Sequence, residues 1–442
     1  MNNTRLALAV ASVFAAPLSV LAENGNVQIY GTINTDYEAV QARGASAAAA
    51  LAPGQLGAIP TGVNVPGRDR VTSNSSNIGF RGEEDLGGGL KAIFQIESAV
   101  GFDNQATFGT NTANGSALGG GFATRNTNVG LSSSKWGTLF AGQWDTPYKV
   151  ISSAVDPMYF TGIAYTGAII GTPGFGVGPV TSGNVTLNAA GATLANSINA
   201  SFERRQGNSV QYWTPDYSGL SGRIVYSANE GKTSDSSALT RVNPYLWGLN
   251  VAYDNGPLYL GYGFERHNDY FGLSAIAPSA QAVPVTAAAG APAASSRDTG
   301  IKVVARYGFG RTRLGLIYEQ LKYEQEDDAA AATNFNSYKR DAYALTATHE
   351  VGPGIIRALY GRAQSGSCSL VGGGACLTNG LGAQQYSLGY SYSLSKRTDL
   401  YGFYTRVAND SGATYQFANA AGIGAAAGAT STGYALGMRH TF

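Results

Sequence analysis

Apolar and polar residues alternate strictly in many short stretches of this chain. Clear examples are residues 27–34, 90–97, 258–265 and 385–394. In the last of these, Tyr386, Leu388 and Tyr390 alternate with Ser387 and Gly389. This alternation predicts β-strands with one apolar and one polar face, because successive side chains of a strand point to opposite sides. The small or charged second face indicates a sheet that encloses water rather than the dry core of a soluble sandwich.

The connections between these strands are alternately short and long. Seven short connections are predicted at 86–89, 134–138, 216–221, 254–257, 308–312, 350–354 and 394–399. Eight long connections are predicted near 41–70, 103–124, 151–203, 230–243, 268–298, 324–337, 364–383 and 408–430. Short turns at one end and long loops at the other are typical of membrane barrels. Fifteen connections join sixteen strands.

The predicted fold is therefore all-β, a 16-stranded antiparallel transmembrane β-barrel with long extracellular loops. Lipid leaves no backbone group without a partner, so such a sheet must close on itself. A barrel of about 16–18 strands encloses an aqueous channel, whereas about eight strands fill their own interior. The fold thus predicts a water-filled channel.

Residues 1–22 have the pattern of a secretory signal peptide. Arg5 supplies a short positive region, residues 6–20 form an apolar run, and Ala22 ends a small-residue cleavage site. The segment is too short and wrongly flanked for a spanning helix, although a retained anchor is the alternative. We predict a mature chain of residues 23–442 that is exported through the periplasm.

Composition and charge exclude several other classes. The chain contains 60 Gly and 26 Tyr, and its formal net charge is only +1. After loss of Arg5, 28 basic residues balance 28 acidic residues, which offers no electrostatic basis for binding nucleic acid. Its mean hydropathy is −0.08. No stretch after the N-terminus approaches the ~20 apolar residues of a membrane helix.

The two cysteines, Cys368 and Cys376, lie eight residues apart in a Gly-rich segment. Export through an oxidising compartment favours a small loop disulfide. A metal site is the weaker alternative, because two thiols without a neighbouring His or carboxylate are too few ligands. No cofactor site is evident.

Several stretches resemble the trimeric general porins of Gram-negative bacteria, in particular the β-proteobacterial and neisserial type. They are residues 78–97, 142–148, 210–215, 394–401 and 437–442. The resemblance covers essentially the whole mature chain. It implies a homotrimer in outer-membrane lipid that passes ions and small hydrophilic solutes. It also implies that the terminal Phe442 is the signal recognised by the barrel-assembly machinery.

The resemblance further implies that the third long loop, residues 151–203, folds into the lumen and forms a constriction. By motif position, Arg125 and Arg205 would belong to the basic wall, and Arg81 is a third candidate because of its inward parity. The candidate acidic partners are Asp145, Asp156 and Glu203. Strand parity points Arg81 and Arg205 inward. Arg125 shares parity with the outward Val129, so it requires a bulge or a position beyond the membrane edge.

The pattern departs from close relatives at Asn77, where they carry an arginine, and this weakens the expectation of strong anion selectivity. Other basic residues with inward parity are assigned to the diffuse charge of the wall. They are Lys91, Lys302, Arg306, Arg313, Arg357 and Arg439. The sequence leaves the ion preference, pore radius and preferred solutes open.

Three alternative functions were weighed. An outer-membrane enzyme would need a nucleophile beside a base, but His267 falls in a long-loop region, His349 near a turn and His440 near the C-terminus. A surface adhesin with a plugged lumen would use the long loops. A sugar-specific porin would need aromatic side chains along the lumen, whereas most tyrosines are predicted on the lipid face.

Overall fold

The computed structural model describes residues 26–101, 105–106, 113–114, 122–175, 202–228, 243–269, 296–325, 335–417 and 425–442. The predicted signal peptide, residues 1–22, lies outside the described residues. Of the predicted constriction loop, residues 151–175 and 202–203 are described.

Within these ranges sixteen antiparallel strands form one closed sheet. The first eight are β1 (Asn26–Arg43), β2 (two segments, Val65–Ser73 and Asn77–Gly87), β3 (Leu90–Ala99), β4 (Thr127–Ser133), β5 (Gly137–Asp145), β6 (Arg205–Trp213), β7 (Leu220–Ala228) and β8 (Tyr245–Asn255). The others are β9 (Leu258–Asn268), β10 (Ser296–Phe309), β11 (Thr312–Gln325), β12 (Phe335–Val351), β13 (Gly354–Ala363), β14 (Ala383–Ser395), β15 (Thr398–Asn409) and β16 (Thr430–Thr441).

A bulge divides β2, and it explains why one strand has two segments. Residues 35–42 of β1 pair with Val65–Ser73, and residues 26–32 pair with Asn77–Gly87. Between the segments, Ser75 adopts a φ of 56°. The Asn34 backbone N–H donates to Ser76 Oγ at 2.9 Å, so a side chain replaces the missing ladder bond.

The barrel closes where β1 pairs with β16, from Thr32 opposite Thr441 to Arg43 opposite Thr430. Phe442 extends this seam, because its backbone N–H donates to the Gly31 carbonyl and its carbonyl accepts from Gly31, each at 3.1 Å. The chain terminus is thus held against the first strand. The predicted sixteen-stranded closed barrel is confirmed.

The faces alternate as the sequence pattern predicts. On β11, Leu314 and Leu316 are exposed on the outside, whereas Ile317 and Glu319 are buried on the inside. An apolar outer band and a polar or packed inner face are the arrangement that lipid outside and water inside require. None of the helices among the described residues is long and apolar enough to cross a membrane.

The segment after β5, residues 146–175, lies inside the barrel; we call it the inner loop. It contains helix α1 (Pro147–Ser153) and a 3₁₀ turn, Thr166–Ala168, and α1 packs against β8 and β9. A small residue on the wall permits close approach, since a Cβ added at Gly315 would lie 2.5 Å from Val155 Cγ1. Val155, Met158, Ile163 and other apolar side chains of the loop are buried against the wall.

Three other elements lie outside the barrel wall or in long connections. Two short strands, Gln105–Ala106 and Ala113–Asn114, pair with each other, and Ser367–Leu370 pairs with β12. The last of these carries Cys368, which is disulfide-bonded to Cys376 with Cα atoms 5.6 Å apart.

Candidate functional site

The inner loop is fastened to the wall by polar side chains that project inward from six strands. Those side chains are Asn34 of β1, Asn250 of β8, Lys302 and Arg306 of β10, Glu319 of β11, Arg340 and Thr346 of β12 and Gln385 of β14. Several bond directly to loop carbonyl groups, which satisfies backbone acceptors that would otherwise be buried alone. The loop therefore follows the inner face of β8 to β16 and part of β1, and it leaves most of the wall of β2 to β7 facing the lumen.

Glu319 is the centre of the most buried anchor. It accepts hydrogen bonds from the Gly171 backbone N–H and the Tyr148 hydroxyl, each at 2.8 Å, and from the Arg340 guanidinium at 3.0 Å. Arg340 also donates to the carbonyls of Ile169 at 3.0 Å and Thr172 at 2.9 Å. Both charged side chains are 0% exposed, so they form a buried pair that bonds directly to the loop.

A second anchor joins the two ends of the predicted constriction loop. Lys302 donates to Ser152 Oγ at 2.7 Å, forms an ion pair with Glu203, and lies 3.8 Å from the centre of the Tyr148 ring. Ser152 in turn donates to Glu203 at 2.5 Å. Burial raises the pKa of the Glu203 carboxyl, while the adjacent Lys302 opposes that rise. Glu203, predicted on the acidic side, is thus enclosed in a loop anchor.

Asp156, also predicted on the acidic side, shapes the loop itself. Its carboxylate accepts from the backbone N–H of Met158 at 2.8 Å and from the backbone N–H and hydroxyl of Thr166, each at 2.7 Å. The side chain is 4% exposed and contacts none of the predicted arginines in these bonds. Burial raises the pKa of the Asp156 carboxyl to about 6, against the opposing effect of the three hydrogen bonds.

Two of the predicted arginines are paired on their own wall. Arg205, the first residue of β6, lies 3.3 Å from Asp145, which also binds Lys149 of α1 at 2.9 Å. Arg125 precedes β4, and this position resolves its outward parity, because the side chain turns inward to reach Glu97 at 2.6 Å. The Asp145 carboxylate therefore lies beside Arg205 rather than across the lumen from it.

Arg81 is the predicted arginine that faces open space. Its Nε donates to Gln28 Oε1 at 2.9 Å, and its guanidinium lies 5.0 Å from the centre of the Tyr30 ring. Within the described part of the chain it forms no ion pair. Asn77 is the position that departs from close relatives. Among the described residues, its side chain makes one hydrogen bond, to the Ser75 carbonyl at 3.0 Å. The constriction roles of the six predicted residues stay predictions.

Two cavities open on the barrel interior, and the first of them adjoins the inner loop. One of about 200 Å³ lies toward the short turns and is lined by Arg306, Arg313 and Arg357 together with Glu350. The other, of about 480 Å³, lies against the wall of β2 to β6 and is lined by Arg81, Gln95, Phe140, Trp144 and Trp213 among others. No cluster of three or more His, Cys, Asp or Glu side chains that could hold a metal occurs among the described residues.

Sequence reasoning missed several groups in this lumen. Glu319 and Arg340 have inward parity on long charged strands, but their partners in the inner loop are more than 140 residues away, so pattern alone could not connect them. Trp144 and Trp213 were noted only as family motif residues. His267, expected in a long-loop region, is instead within β9, because that strand continues to Asn268; it is buried and stacks on Phe202.

A closed barrel with an apolar outer face, a charged inner face and a loop folded within it defines an outer-membrane channel. The sequence confirms the class: the model of the Gram-negative porin family matches residues 7–412, and the chain belongs to that family. The family and the outer-membrane location predicted from the motifs are thereby confirmed.

Individual relatives agree with this assignment. "Outer membrane porin protein 32" of Delftia acidovorans is 29% identical over 374 residues, which cover 84% of this chain and 85% of the relative. "Major outer membrane protein P.IB" of Neisseria gonorrhoeae is 27% identical over 61% of this chain and 59% of the relative. Among solved structures, the "Anion-selective porin from Comamonas acidovorans" has a TM-score of 0.63 at 24% identity and covers 95% of this chain and 100% of its own.

Proposed function

We propose that this porin is a general diffusion channel for small hydrophilic solutes, and that it prefers anions. One observation carries the preference. Five arginines of the inner wall form no ion pair within the described residues: Arg81, Arg223, Arg313, Arg357 and Arg439. On the inner face near the short turns, three carboxylates have no cationic partner among those same residues, namely Asp85, Glu350 and Asp399. Glu84 has outward parity, and Asp216 lies in a turn.

The distribution of these charges supports a route along the wall of β2 to β7 and out past the short turns. A lumen lined by one sign of charge between low-dielectric walls raises the local concentration of the opposite ion. Guanidinium groups keep their charge at all physiological pH values, so the preference would not titrate. A polar throat also rejects apolar solutes, which cannot replace lost hydrogen bonds. The solved anion-selective relative is consistent with this proposal.

The remaining expectations belong to the same proposal. The chain acts as a channel and not as an enzyme, and residues 1–22 are removed on export. The functional unit is a homotrimer, as the "trimer form" of OmpT from Vibrio cholerae illustrates for one protein of this fold. The apolar side chains exposed on β1 and β16, such as Val27, Tyr434 and Leu436, would contact lipid or a neighbouring copy. Phe442 would be recognised during assembly.

The test is the reversal potential of purified protein in a planar bilayer across a KCl gradient. We expect open steps in groups of three and a potential whose sign reports chloride preference. The double variant Arg357→Gln/Arg439→Gln should move the potential toward that of an unselective pore. Arg406→Gln is the matched control, since it removes the same charge from an exposed position on the outer face of β15. A cation-selective wild type, or equal shifts in both variants, would contradict the anion preference, and absence of conductance would contradict the channel.

A further inference from the structure

The wall of the larger cavity carries three aromatic rings that are in mutual contact. In the β5–β6 register, Trp213 lies opposite Thr138, Phe140 opposite Gln211 and Trp144 opposite Gln206. The ring centres of Phe140 are 5.3 Å from Trp144 and 5.0 Å from Trp213, and the two indoles are 5.6 Å apart. We call Phe140, Trp144 and Trp213 the aromatic ladder.

The two indoles of the ladder are accessible to a solute. Phe140 is only 2% exposed and supports the ladder from behind, whereas Trp144 and Trp213 are each partly exposed and line the same cavity of about 480 Å³. The indole N–H of Trp213 already donates to Gln211 at 3.1 Å, so this residue offers its ring rather than a donor. Exposing apolar aromatic surface to water costs free energy, and a solute that covers the rings would remove that cost.

Cationic groups flank the ladder. The Arg223 guanidinium lies 4.3 Å from the centre of the Trp213 ring, opposite it in the β6–β7 register, and has no ion-pair partner among the described residues. Arg81 lines the far side of the same cavity. A guanidinium stacked on an aromatic face keeps its edge N–H groups free to bind a carboxylate in the ring plane.

The polar groups beside the ladder include both donors and acceptors. The amide of Gln95 donates to the Asn126 carbonyl at 2.9 Å, and the carboxylate of Glu83, which also lines the cavity, is paired with Lys91 at 2.5 Å. The group next to the Trp213 ring is the Arg223 guanidinium, which offers only donors. A group with donors alone suits a carboxylate better than a hydroxyl of a sugar, which both donates and accepts.

We infer that the aromatic ladder and Arg223 form a subsite for small aromatic carboxylates, with the ring against the exposed indoles and the carboxylate at the guanidinium edge. The subsite deepens the proposed function and depends on it, because it makes the general anion path prefer one chemical class. Stacking on aromatic side chains and charge-assisted hydrogen bonds would act together there.

The experiment measures block of the chloride current by benzoate in planar bilayers. Cyclohexanecarboxylate has the same charge without a flat ring, acetate has the charge alone, and glucose tests the sugar alternative. We expect benzoate to block at a concentration at least tenfold lower than the other three. Trp213→Leu and Arg223→Gln should each raise that concentration about tenfold, which corresponds to about 1.4 kcal/mol. Trp247→Leu is the control, because Trp247 packs on Phe264 at the outer face.

A second measurement does not depend on conductance. The chain has 4 Trp, so the variant Trp136→Phe/Trp247→Phe keeps only the two indoles of the ladder. Benzoate should quench its fluorescence saturably, and cyclohexanecarboxylate should not. Equal block by benzoate and acetate with no saturable quenching would overturn the subsite while leaving the chloride channel intact. Stronger effects of glucose would overturn the choice of an aromatic anion. Loss of all conductance together with saturable quenching would refute the channel and retain the subsite.

Discussion

The anchor formed by Arg340 allows the inner loop to be released without touching the open wall. Replacing Arg340 with Met keeps much of the side-chain volume but removes the guanidinium, which bonds Glu319, Ile169 and Thr172. Glu319 would keep the Gly171 N–H and the Tyr148 hydroxyl, and Lys302 lies 3.5 Å away. A buried carboxylate would then be only partly compensated, and two buried carbonyls would lose their donor.

The expected cost follows from these losses. Breaking a buried ion pair by removing one partner costs about 3–5 kcal/mol. We therefore expect Arg340→Met to lower the free energy of unfolding by about that amount. The loop segment 169–172 should loosen first, because its carbonyls are held by this side chain. Single-channel records should show larger or noisier open currents than the wild type, since the loop limits the open cross-section.

The matched variants test the mechanism rather than the residue alone. Glu319→Gln in the Arg340→Met background removes the uncompensated charge, so part of the lost stability should return. A double-mutant cycle from denaturant unfolding in detergent should give a coupling of at least about 1 kcal/mol, above the ~0.5 kcal/mol expected for independent sites. Additive effects, or an Arg340→Met channel with wild-type current noise, would refute the claim that this pair holds the loop.

Three further results are expected. The pKa of Asp156 is raised to about 6 in the folded protein, so the native state binds the proton more tightly than the unfolded chain does. The free energy of unfolding should therefore fall by up to about 3 kcal/mol as pH rises from about 4 to 6. In Asp156→Asn, the free energy measured by urea unfolding at a series of pH values should not show this fall. An unchanged fall would show that other groups cause it. Replacing Cys368 and Cys376 with Ser should cost about 2–3 kcal/mol relative to the oxidised wild type, because their short loop is no longer closed, and the reduced wild type should match the variant. Gly31→Val should slow barrel closure seen by gel-mobility shift, because a Cβ there would lie 2.5 Å from the Phe442 ring. Gly67→Val should fold at the wild-type rate, because the nearest atom to its Cβ would be 3.9 Å away.

The strand pattern could be predicted from sequence because lipid imposes it locally. Each outward side chain must be apolar and each turn must reverse the chain, so period-two alternation and turn residues specify both strand number and facing. The bulge at residues 74–76 was not predicted. Its cause is a long-range exchange between Asn34 and Ser76, and the sequence between them carries no corresponding signal.

The candidate site was predictable only in part. Inward parity identified Arg81 and Arg205 as wall residues, but it could not tell that Arg205 is paired with Asp145 and Arg81 is not. The family resemblance implied that Asp156 belongs to the acidic side of the constriction, and in the structure the loop folds around this carboxylate. The path of a loop depends on many weak contacts with distant strands, and these leave no period in its sequence. Residues 176–201 of the predicted loop lie outside the described residues.

The pairing of charges divides the lumen into two regions with different expected roles. Around the inner loop, Glu319, Arg340 and Lys302 are wholly buried and joined to one another, so their charge is neutralised locally and contributes little field to a passing ion. Toward the short turns, Arg357 and Arg439 each lie 5.4 Å from the centre of the Phe160 ring, and no carboxylate binds them within the described residues. Their charge is available to solutes. Substitutions in the first region should therefore change stability and current noise at constant selectivity, and substitutions in the second should change selectivity at constant stability.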